Sequence, residues 1–327
     1  MADQGKILSA VSEYVDEAVK EQQAKDATAY AALQAEYDQY RASHPDQPTP
    51  VPVVDPTPAP VPEPVPEPTP EPVPVPVVTK PLWGVSYKAT ADTGLIAETN
   101  RKGHVKVARI YFQGMANATW KDKRIQRAIA DGCTAFVLTC KDKNLANSEK
   151  FLAAIPAGYT VYYGAFHEPE NNIDDPKSAQ YAAWAAEWRT LQEKLAPIVR
   201  AHGAIPTTIT QGSTLWGLKG RKVTDWMPAK GSIDVFAFDS YLNGYDPVQY
   251  VAKMVAAAKL AGAKATAVGE TGIAEKTPER LKQLTTFKAE LVKAKVPFAC
   301  YWDSQVSAAE PDFRWDTATA NAWLGLK

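Results

Sequence analysis

Short apolar runs alternate with amphipathic stretches through residues 82–327 of this chain. Each run has the length and apolar content expected of a strand that is buried on both faces. The eight candidates are LWGVSY (82–87), KVARIYF (106–112), TAFVLTC (134–140), TVYYGAF (160–166), AIPTTIT (204–210), IDVFAFDSY (233–241), AKATAVGE (263–270) and VPFACYWD (296–303). Eight strand–helix units in about 250 residues, joined by right-handed crossovers, predict an α/β fold of the (β/α)8, or TIM barrel, type.

Capping residues and glycines support this division into strands and helices. A capping residue followed by proline predicts the first turn of a helix. Three such pairs occur: Asp175-Pro176, Asp246-Pro247 and Thr277-Pro278. Four glycines stand at expected helix ends just before strands: Gly132, Gly158, Gly203 and Gly262. An open doubly wound sheet is the alternative, but no glycine-rich phosphate loop follows the first strand.

Residues 1–44 predict a separate N-terminal helix. No proline interrupts residues 6–43, and apolar residues recur there at steps of three and four. They are Ile7, Leu8, Val11, Val15 and Val19, followed by Tyr30, Leu33, Tyr37 and Tyr40. Because no other local core is available, we expect this stripe to mediate self-association or to bind a carrier protein. A marginal, solvated helix is the alternative.

Residues 45–80 carry proline at nearly every second position, as in VPEPVPEPTPEPVPVPV. Proline fixes φ and lacks an amide donor, so this run predicts an extended Pro-rich linker. At about 3.1 Å per residue, the linker would reach on the order of 100 Å. Recognition by an SH3-type domain is the alternative. The predicted barrel domain then occupies residues 81–327.

Composition and charge exclude some classes of partner. The 327-residue chain has 45% hydrophobic residues, a net charge of −1 and a pI near 6.5. Such a chain has no general attraction to phosphate backbones or anionic membranes, so we expect neither nucleic-acid binding nor membrane insertion. The N-terminus MADQGKILSAVSEYVDE lacks a basic start followed by an apolar run, so no signal peptide is predicted.

The cysteines and histidines suggest neither a disulfide framework nor a metal site. Cys133 and Cys140 bracket one predicted strand and are too far apart to bond each other, and Cys300 lies in another strand. His167-Glu168 begins like a metalloprotease motif, but position 171 is Asn, so HExxH is absent. We therefore expect buried thiols, no metal and no cofactor.

Polar and aromatic residues collect where the predicted strands end. They are Tyr87, Tyr111, His167, Glu168, Asp239, Tyr241, Glu270, Trp302 and Asp303. A barrel places its strand ends around one mouth, where barrel enzymes have their active sites. Glu168 and Glu270 follow the fourth and seventh strands and can face each other as the acid/base and nucleophile of sugar-bond cleavage. Either glutamate alone could be a structural cap, but the pair favours catalysis.

This order of motifs resembles the clan A glycoside hydrolases across essentially residues 82–327. In that clan a glutamate after strand four is the acid/base and one ending strand seven is the nucleophile. His167 stands where Asn is usual, which looks like family 26 of the clan, and the sequence GETG resembles its nucleophile strand. A helix motif is similar too: Tyr181, Trp184, Trp188 and Arg189. The resemblance implies that Tyr241 orients the nucleophile, that Arg109 lies beneath it and that Trp302 floors the sugar site.

The chemistry agrees with that resemblance. Retaining cleavage needs two carboxyl groups about 5 Å apart, one protonated and one ionised. Arg109 would keep Glu270 ionised, while apolar neighbours would raise the pKa of Glu168. We expect His167 to orient Glu168 or a sugar hydroxyl, with a hydrogen-bonded core histidine as the alternative.

The loop after Glu168 departs from the family pattern, because it continues Pro169-Glu170-Asn171-Asn172. Mannan specificity is therefore not carried over. Asn171, Asp239 and Tyr87 complete the set of substrate-binding candidates, and Glu170 is expected to contact a sugar subsite.

These features predict a retaining endo-glycoside hydrolase whose partner is a polysaccharide, such as a bacterial envelope glycan. A carbohydrate-binding or structural module without turnover is the alternative, and a barrel hydrolase acting on another bond is a third. A helix, a Pro-rich stalk and no signal peptide suit a virion tail or another particle appendage. Barrel domains of similar appearance occur on tail proteins of phages infecting actinobacteria, so that location is an expectation by analogy.

Overall fold

The computed structural model describes residues 80–87, 103–242, 244–273, 279–302, 313 and 316–325. Within these ranges eight parallel strands pair in chain order and close into a barrel. The strands are β1 (Leu82–Ser86), β2 (Val107–Phe112), β3 (Ala135–Cys140), β4 (Thr160–Ala165), β5 (Ile205–Gln211), β6 (Val235–Tyr241), β7 (Ala265–Gly272) and β8 (Phe298–Tyr301). The predicted (β/α)8 barrel is confirmed, and most strand ends lie within two residues of their predicted positions.

Helices join the strands along the outside of the barrel. They are α1 (Lys123–Ala130), α2 (Leu145–Leu152), α3 (Ala179–Ala201), α4 (Pro247–Ala261), α5 (Glu279–Lys293) and α6 (Thr317–Leu324). Short 3-10 segments follow β4 and β5: Pro169–Asn172, Gly212–Trp216, Leu218–Gly220 and Val223–Trp226. The first of these segments belongs to the loop that carries Glu168.

Local chemistry sets the helix boundaries. Asp246 caps α4 as predicted, because its side chain accepts a hydrogen bond from the Val248 amide and Pro247 is the first helical residue. The start predicted at Asp175-Pro176 is wrong: Ser178 caps α3, while Asp175 closes the preceding turn. The Thr277-Pro278 pair lies outside the described residues. At the C-terminal end of α4, Gly262 has a φ of 70°, a conformation that favours glycine.

The strands separate two apolar layers. Alternate strand residues fill the inside of the barrel, and the others pack against the helices. The inner set is Val107, Ala135, Val137, Tyr162, Ile205, Ile209, Val235, Ala237, Ala267, Phe298 and Cys300. Because successive side chains alternate between the layers, a shift of one residue decides whether a strand-end side chain faces the barrel axis or the helices.

Cys133, Cys140 and Cys300 are buried free thiols, as the sequence predicted. Within the ranges that the structure describes, no helix has the length and apolar content needed to span a membrane. Residues 1–79 lie outside those ranges, so the N-terminal helix and the Pro-rich linker stay predictions.

Candidate active site

A cavity of about 830 Å³ opens at the C-terminal ends of the strands. Its walls include Tyr111, His167, Glu168, Gln211, Ser213, Leu218, Asp239, Tyr241, Tyr245, Tyr250, Glu270, Trp302 and Phe313. Six residues proposed from the sequence are therefore brought to one mouth: His167, Glu168, Asp239, Tyr241, Glu270 and Trp302. This is the end of the barrel where enzymes of this fold have their active sites.

Strand alternation places the polar residues of β2 and β6 toward the axis. Arg109 and Tyr111 are two residues apart on β2 and continue the inner face begun by Val107. Asp239 and Tyr241 continue the inner face of β6 in the same way. Each strand thus contributes one buried charged group and, one layer higher, one tyrosine at the mouth.

A β-bulge in β7 presents Glu270 to the cavity. The register with β6 slips at this point, so that Glu270 rather than Gly269 pairs with Asp239. A Cβ atom on Gly269 would lie 2.4 Å from Asp239 Oδ1, which explains why glycine occupies the bulge. Uninterrupted alternation from Ala267 would have turned Glu270 toward the helices. The extra residue restores it to the inner face, as bulges beside active sites often do.

Donors and a cation surround the Glu270 carboxyl group. The Tyr241 hydroxyl donates to Oε2 at 2.7 Å, and the Tyr111 hydroxyl donates to Oε1. Arg109 Nε lies 3.9 Å from Oε1. Hydrogen bonds to both oxygens and a nearby positive charge favour the ionised form of a carboxyl group. The side chain is almost fully buried but borders the cavity.

Arg109 is a fully buried cation that contacts several polar groups. Its Nη1 donates to Thr139 Oγ1 at 2.9 Å, and its Nη2 lies 3.7 Å from Asp239 Oδ2. The guanidinium carbon is 4.8 Å from the centre of the Tyr111 ring. A buried charge requires such partners. Arg109 therefore lies beneath the mouth, within 4 Å of the carboxyl groups of both Asp239 and Glu270.

His167 is a neutral group in this site. Its Nδ1 lies 3.1 Å from Thr139 Oγ1, and its ring stacks on Tyr111 with centroids 4.9 Å apart. Burial, together with the charges of Arg109 and Lys141, lowers the pKa of His167 to about 2. A neutral imidazole fixed on both sides can position a substrate or Tyr111, but it does not supply a proton near neutral pH.

Glu168 occupies a strained turn at the end of β4. Its φ and ψ are 48° and 52°, and Phe166, two residues earlier, also has a φ of 48°. Non-glycine residues rarely adopt this left-handed region, and such strain concentrates at functional sites. The Glu168 amide donates to the Ile209 carbonyl at 2.9 Å, and Asn171 Nδ2 donates to Oε2 at 3.0 Å. Burial raises the pKa of Glu168 despite the opposing effect of Arg109.

Glu170 is buried in the protein rather than exposed at a sugar subsite, which corrects the expectation from the sequence. Its Oε1 accepts a hydrogen bond from the Gln211 amide and so ties the Glu168 loop to β5. Within the described part of the chain, Oε2 has no hydrogen-bond partner. Burial raises the pKa of Glu170 well above its usual value, and the charges of Glu168 and Asp239 act in the same direction.

Glu170→Gln should make the folded protein more stable at mildly alkaline pH. The folded state keeps a proton on Glu170 that the unfolded chain releases above about pH 4.3, so this group lowers the free energy of unfolding as pH rises. Glutamine has the same shape and never ionises. We expect melting temperatures of the two proteins to be similar near pH 4 and to diverge as the pH increases toward about 8.

The Glu279→Gln variant provides the control for that experiment, because Glu279 is exposed and its ion pair with Lys282, at 4.0 Å, is also exposed to solvent. Calorimetric melting at both pH values would measure the difference. An equal change at both pH values for Glu170→Gln would show that the carboxyl group of Glu170 does not keep its proton in the folded state.

Tyr87 does not reach the cavity, which corrects its assignment as a substrate-binding candidate. Inner-face Ser86 pairs with Arg109 in the barrel register, so the next residue points to the helix layer. The Tyr87 hydroxyl donates to Asp131 Oδ2 at 2.7 Å and lies 3.9 Å from Cys133 Sγ. Two other candidates, Asn171 and Trp302, do lie at the mouth. Asn171 donates a hydrogen bond to Glu168, and the ring centroids of Trp302 and Tyr111 are 6.0 Å apart. Asp303 lies outside the described residues.

Some cavity residues were missed or undervalued in the sequence analysis. Tyr111 lies two residues after Arg109 on β2, so the alternation of side chains along that strand could have placed both on the inner face, toward Glu270. Gln211 could have been found in the same way, as the last residue of β5 on the face that includes Ile209. Phe313, whose ring centroid is 4.9 Å from that of Tyr241, gave no signal because it comes from a distant loop.

Comparison with known proteins identifies the architecture. Scans against models of protein families and against curated protein sequences give no match. Among solved structures, the catalytic core of a xylanase A aligns with a TM-score of 0.53 and 10% identity, over 76% of this chain and 98% of that one. A GH5-4 broad specificity endoglucanase from Clostridium cellulovorans aligns with a TM-score of 0.52 and 10% identity, over 77% and 96%. At such low identity, these similarities establish a common barrel fold.

Proposed function

We propose that the chain is a retaining endo-glycoside hydrolase, with Glu168 as acid/base and Glu270 as nucleophile. The observation that carries the proposal is that two glutamates border one cavity but have different surroundings. Glu270 has two hydroxyl donors and Arg109 around its carboxyl group, whereas burial raises the pKa of Glu168. Two carboxyl groups whose environments separate their protonation states are what double-displacement chemistry requires.

In the first step, a Glu270 oxygen attacks the anomeric carbon while Glu168 gives its proton to the departing glycosidic oxygen. The sugar–oxygen bond breaks and a glycosyl ester forms on Glu270. In the second step, Glu168 removes a proton from water, and the resulting oxygen nucleophile releases the sugar and restores both carboxyl groups. The hydroxyl groups of Tyr111 and Tyr241 hold the Glu270 oxygens during attack. This route requires the two carboxyl groups to be about 5 Å apart.

The cavity walls favour an uncharged polysaccharide as substrate. Three carboxyl groups border the cavity, and none of its described lining residues is a lysine or arginine. Trp302 and Tyr245 offer aromatic surfaces on which sugar rings can stack. A uronate or a phosphorylated sugar would bring a negative charge toward these carboxyl groups. The two aligned barrels are described as an endoglucanase and a xylanase, so glucans and xylans are the first neutral substrates to test.

The full chain, incubated with neutral, uronate-containing and phosphorylated polysaccharides, should release new reducing ends mainly from a neutral one. We expect internal cleavage, measured as a rapid fall in viscosity, and products that first appear with the anomeric configuration of the substrate by NMR. Inverted products would contradict the double-displacement mechanism. Binding without any cleavage would support the alternative of a carbohydrate-binding module.

Location on a phage tail or another particle appendage is the second part of the proposal. It rests on the sequence patterns of residues 6–43 and 45–80, which predict an associating helix and an extended spacer. A helix that self-associates or binds a carrier would place several catalytic domains on one particle. Light scattering of the full chain tests self-association, and a monomer at all concentrations would leave a carrier protein as the partner.

A further inference from the structure

Glu168 lies in a turn whose backbone conformation is costly to maintain. Phe166 and Glu168 both have a φ of 48°, in the left-handed region that non-glycine residues rarely adopt. Rotation of a peptide plane on either side of Glu168 would relieve this strain and redirect its side chain. The surrounding contacts must therefore hold these peptide planes if Glu168 is to keep facing the cavity.

Two tryptophans of α3 hold the carbonyl groups on either side of this turn. Trp188 Nε1 donates to the Phe166 carbonyl at 2.9 Å, and Trp184 Nε1 donates to the Pro169 carbonyl at 2.8 Å. Between these two carbonyls, the Glu168 amide donates to a carbonyl of β5 at 2.9 Å. Three peptide units around Glu168 are thus each fixed by a partner from another element.

The helical period explains how one element reaches both carbonyl groups. Residues four apart lie on the same face of a helix, so Trp184 and Trp188 follow each other along α3. Gln192 continues that face by one more turn, and its Nε2 donates to the Ala165 carbonyl at 2.7 Å. The order of the donors along α3 is opposite to the order of their acceptors along the chain. One helix face therefore holds the backbone from the end of β4 through the turn.

The indole rings of both tryptophans are fixed by their own packing. The Trp184 ring meets the Phe166 ring edge to face, with centroids 5.2 Å apart. The Trp188 ring is fully buried and packs in the same way against Trp226, at 5.7 Å. Trp226 in turn donates from Nε1 to the Tyr181 hydroxyl at 3.1 Å. The two indole donors are therefore rigid reference points for the turn.

We propose that Trp184 and Trp188, here called the indole pair, are positioning residues that hold the left-handed turn and so aim Glu168 at the substrate. The inference rests on the proposed function. Neither indole is among the described residues that border the cavity, so the pair acts through the backbone of the turn. Proton transfer depends steeply on geometry, and a displacement of about 1 Å can lower a rate about a hundredfold.

Trp188→Phe tests the indole pair, because phenylalanine keeps an aromatic ring but has no N–H donor. We expect kcat of the full chain on a cleaved glycan to fall about 10- to 100-fold, while KM changes less than about threefold, since the contacts between sugar and cavity are retained. Trp323→Phe is the matched control, because Trp323 is buried in α6 and its Nε1 donates to the Gly84 carbonyl of β1 at 2.9 Å. It should lower the melting temperature and leave kcat close to the parent value. A folded Trp188→Phe protein with the parent kcat would overturn the proposal.

Amide hydrogen exchange, measured by NMR, tests the same contact without substrate. In Trp188→Phe the Glu168 amide should exchange at least about tenfold faster than in the parent protein, because the turn opens locally more often. The Thr160 amide at the start of β4 donates to the Thr134 carbonyl at 3.0 Å and is the internal reference, so its rate should not change. Equal acceleration of both amides would show a general loss of stability and would overturn the proposal.

Trp184→Phe covers the case in which Trp188→Phe does not fold. Its effects on kcat and on Glu168 exchange should have the same pattern but be smaller, since Asn172 Nδ2 also donates to the Pro169 carbonyl, at 3.2 Å. Parent values of both quantities in that variant would overturn the proposal. If the parent protein cleaves no glycan, the proposed function fails, while the exchange rates still decide whether the indole pair holds the turn.

Discussion

Glu270→Gln should reduce kcat on a glycan substrate by about four orders of magnitude or more, while glycan affinity changes only a few-fold. Glutamine keeps the size of the side chain and can accept hydrogen bonds from Tyr111 or Tyr241 through its one oxygen. It lacks the negative charge and cannot form the glycosyl ester. The loss therefore falls on the chemical step rather than on binding.

Single-turnover kinetics and calorimetric binding measure these two effects separately. The Glu279→Gln variant makes the same substitution at an exposed position, so it controls for replacing a glutamate by glutamine and should behave like the parent protein. Glu270→Ala leaves space in which azide can attack the anomeric carbon, so added azide should yield a glycosyl azide of inverted configuration. If Glu270→Gln cleaved glycan at the parent rate, Glu270 would have only a structural role.

The fold was predictable because its signals are local. Each strand of a parallel barrel is buried on both faces and appears as a short apolar run, and capping residues and glycines divide one unit from the next. The same alternation explains why Arg109 faces the barrel axis and why Tyr87 does not. Both are polar residues within or at the end of a strand, but they differ in phase relative to the inner face. Counting from Ser86 would have corrected the error.

Other parts of the site depend on contacts that no local pattern reveals. Glu270 faces the cavity only because β7 has a bulge at Gly269, and that bulge is defined by its register with β6. Glu170 looks like an exposed loop acid in the sequence, yet the Gln211 amide and the closing barrel bury it. Such features follow from packing between distant segments, so the sequence could give the residue types but not their partners.

Arg109 links the predicted and the unpredicted parts of the site. The resemblance placed it beneath the nucleophile, and the structure also brings it to Asp239. Its guanidinium group lies within 4 Å of both the Asp239 and the Glu270 carboxyl groups, where a positive charge favours the ionised form of a carboxyl group. Burial is the largest cause that raises the pKa of Glu168, and the charge of Arg109 opposes it.

Glu168→Gln should produce a defect whose size depends on the leaving group. In a natural glycan the leaving group is a sugar alkoxide, which departs slowly unless it is protonated. Losing the proton donor should therefore lower kcat/KM by about 10²- to 10⁴-fold. An activated aryl glycoside leaves without a proton, and its first step should proceed at nearly the parent rate. Glutamine retains the side-chain volume and an oxygen that can accept from Asn171, so the strained turn at residue 168 should be preserved.

Pre-steady-state kinetics on both substrates distinguish this acid/base role from a structural one. The aryl glycoside should give a rapid burst of phenolate followed by slow turnover, because Glu168 is also the base that activates water in the second step. Asn171→Ala removes one hydrogen bond to Glu168 but keeps the carboxyl group, so it should impair both substrates to a similar, smaller extent. Equal losses on both substrates in Glu168→Gln would mean that Glu168 does not protonate the leaving group. In the expected outcome, the alkaline limb of the pH profile for the natural glycan also disappears in Glu168→Gln, since the group that loses its proton there is gone.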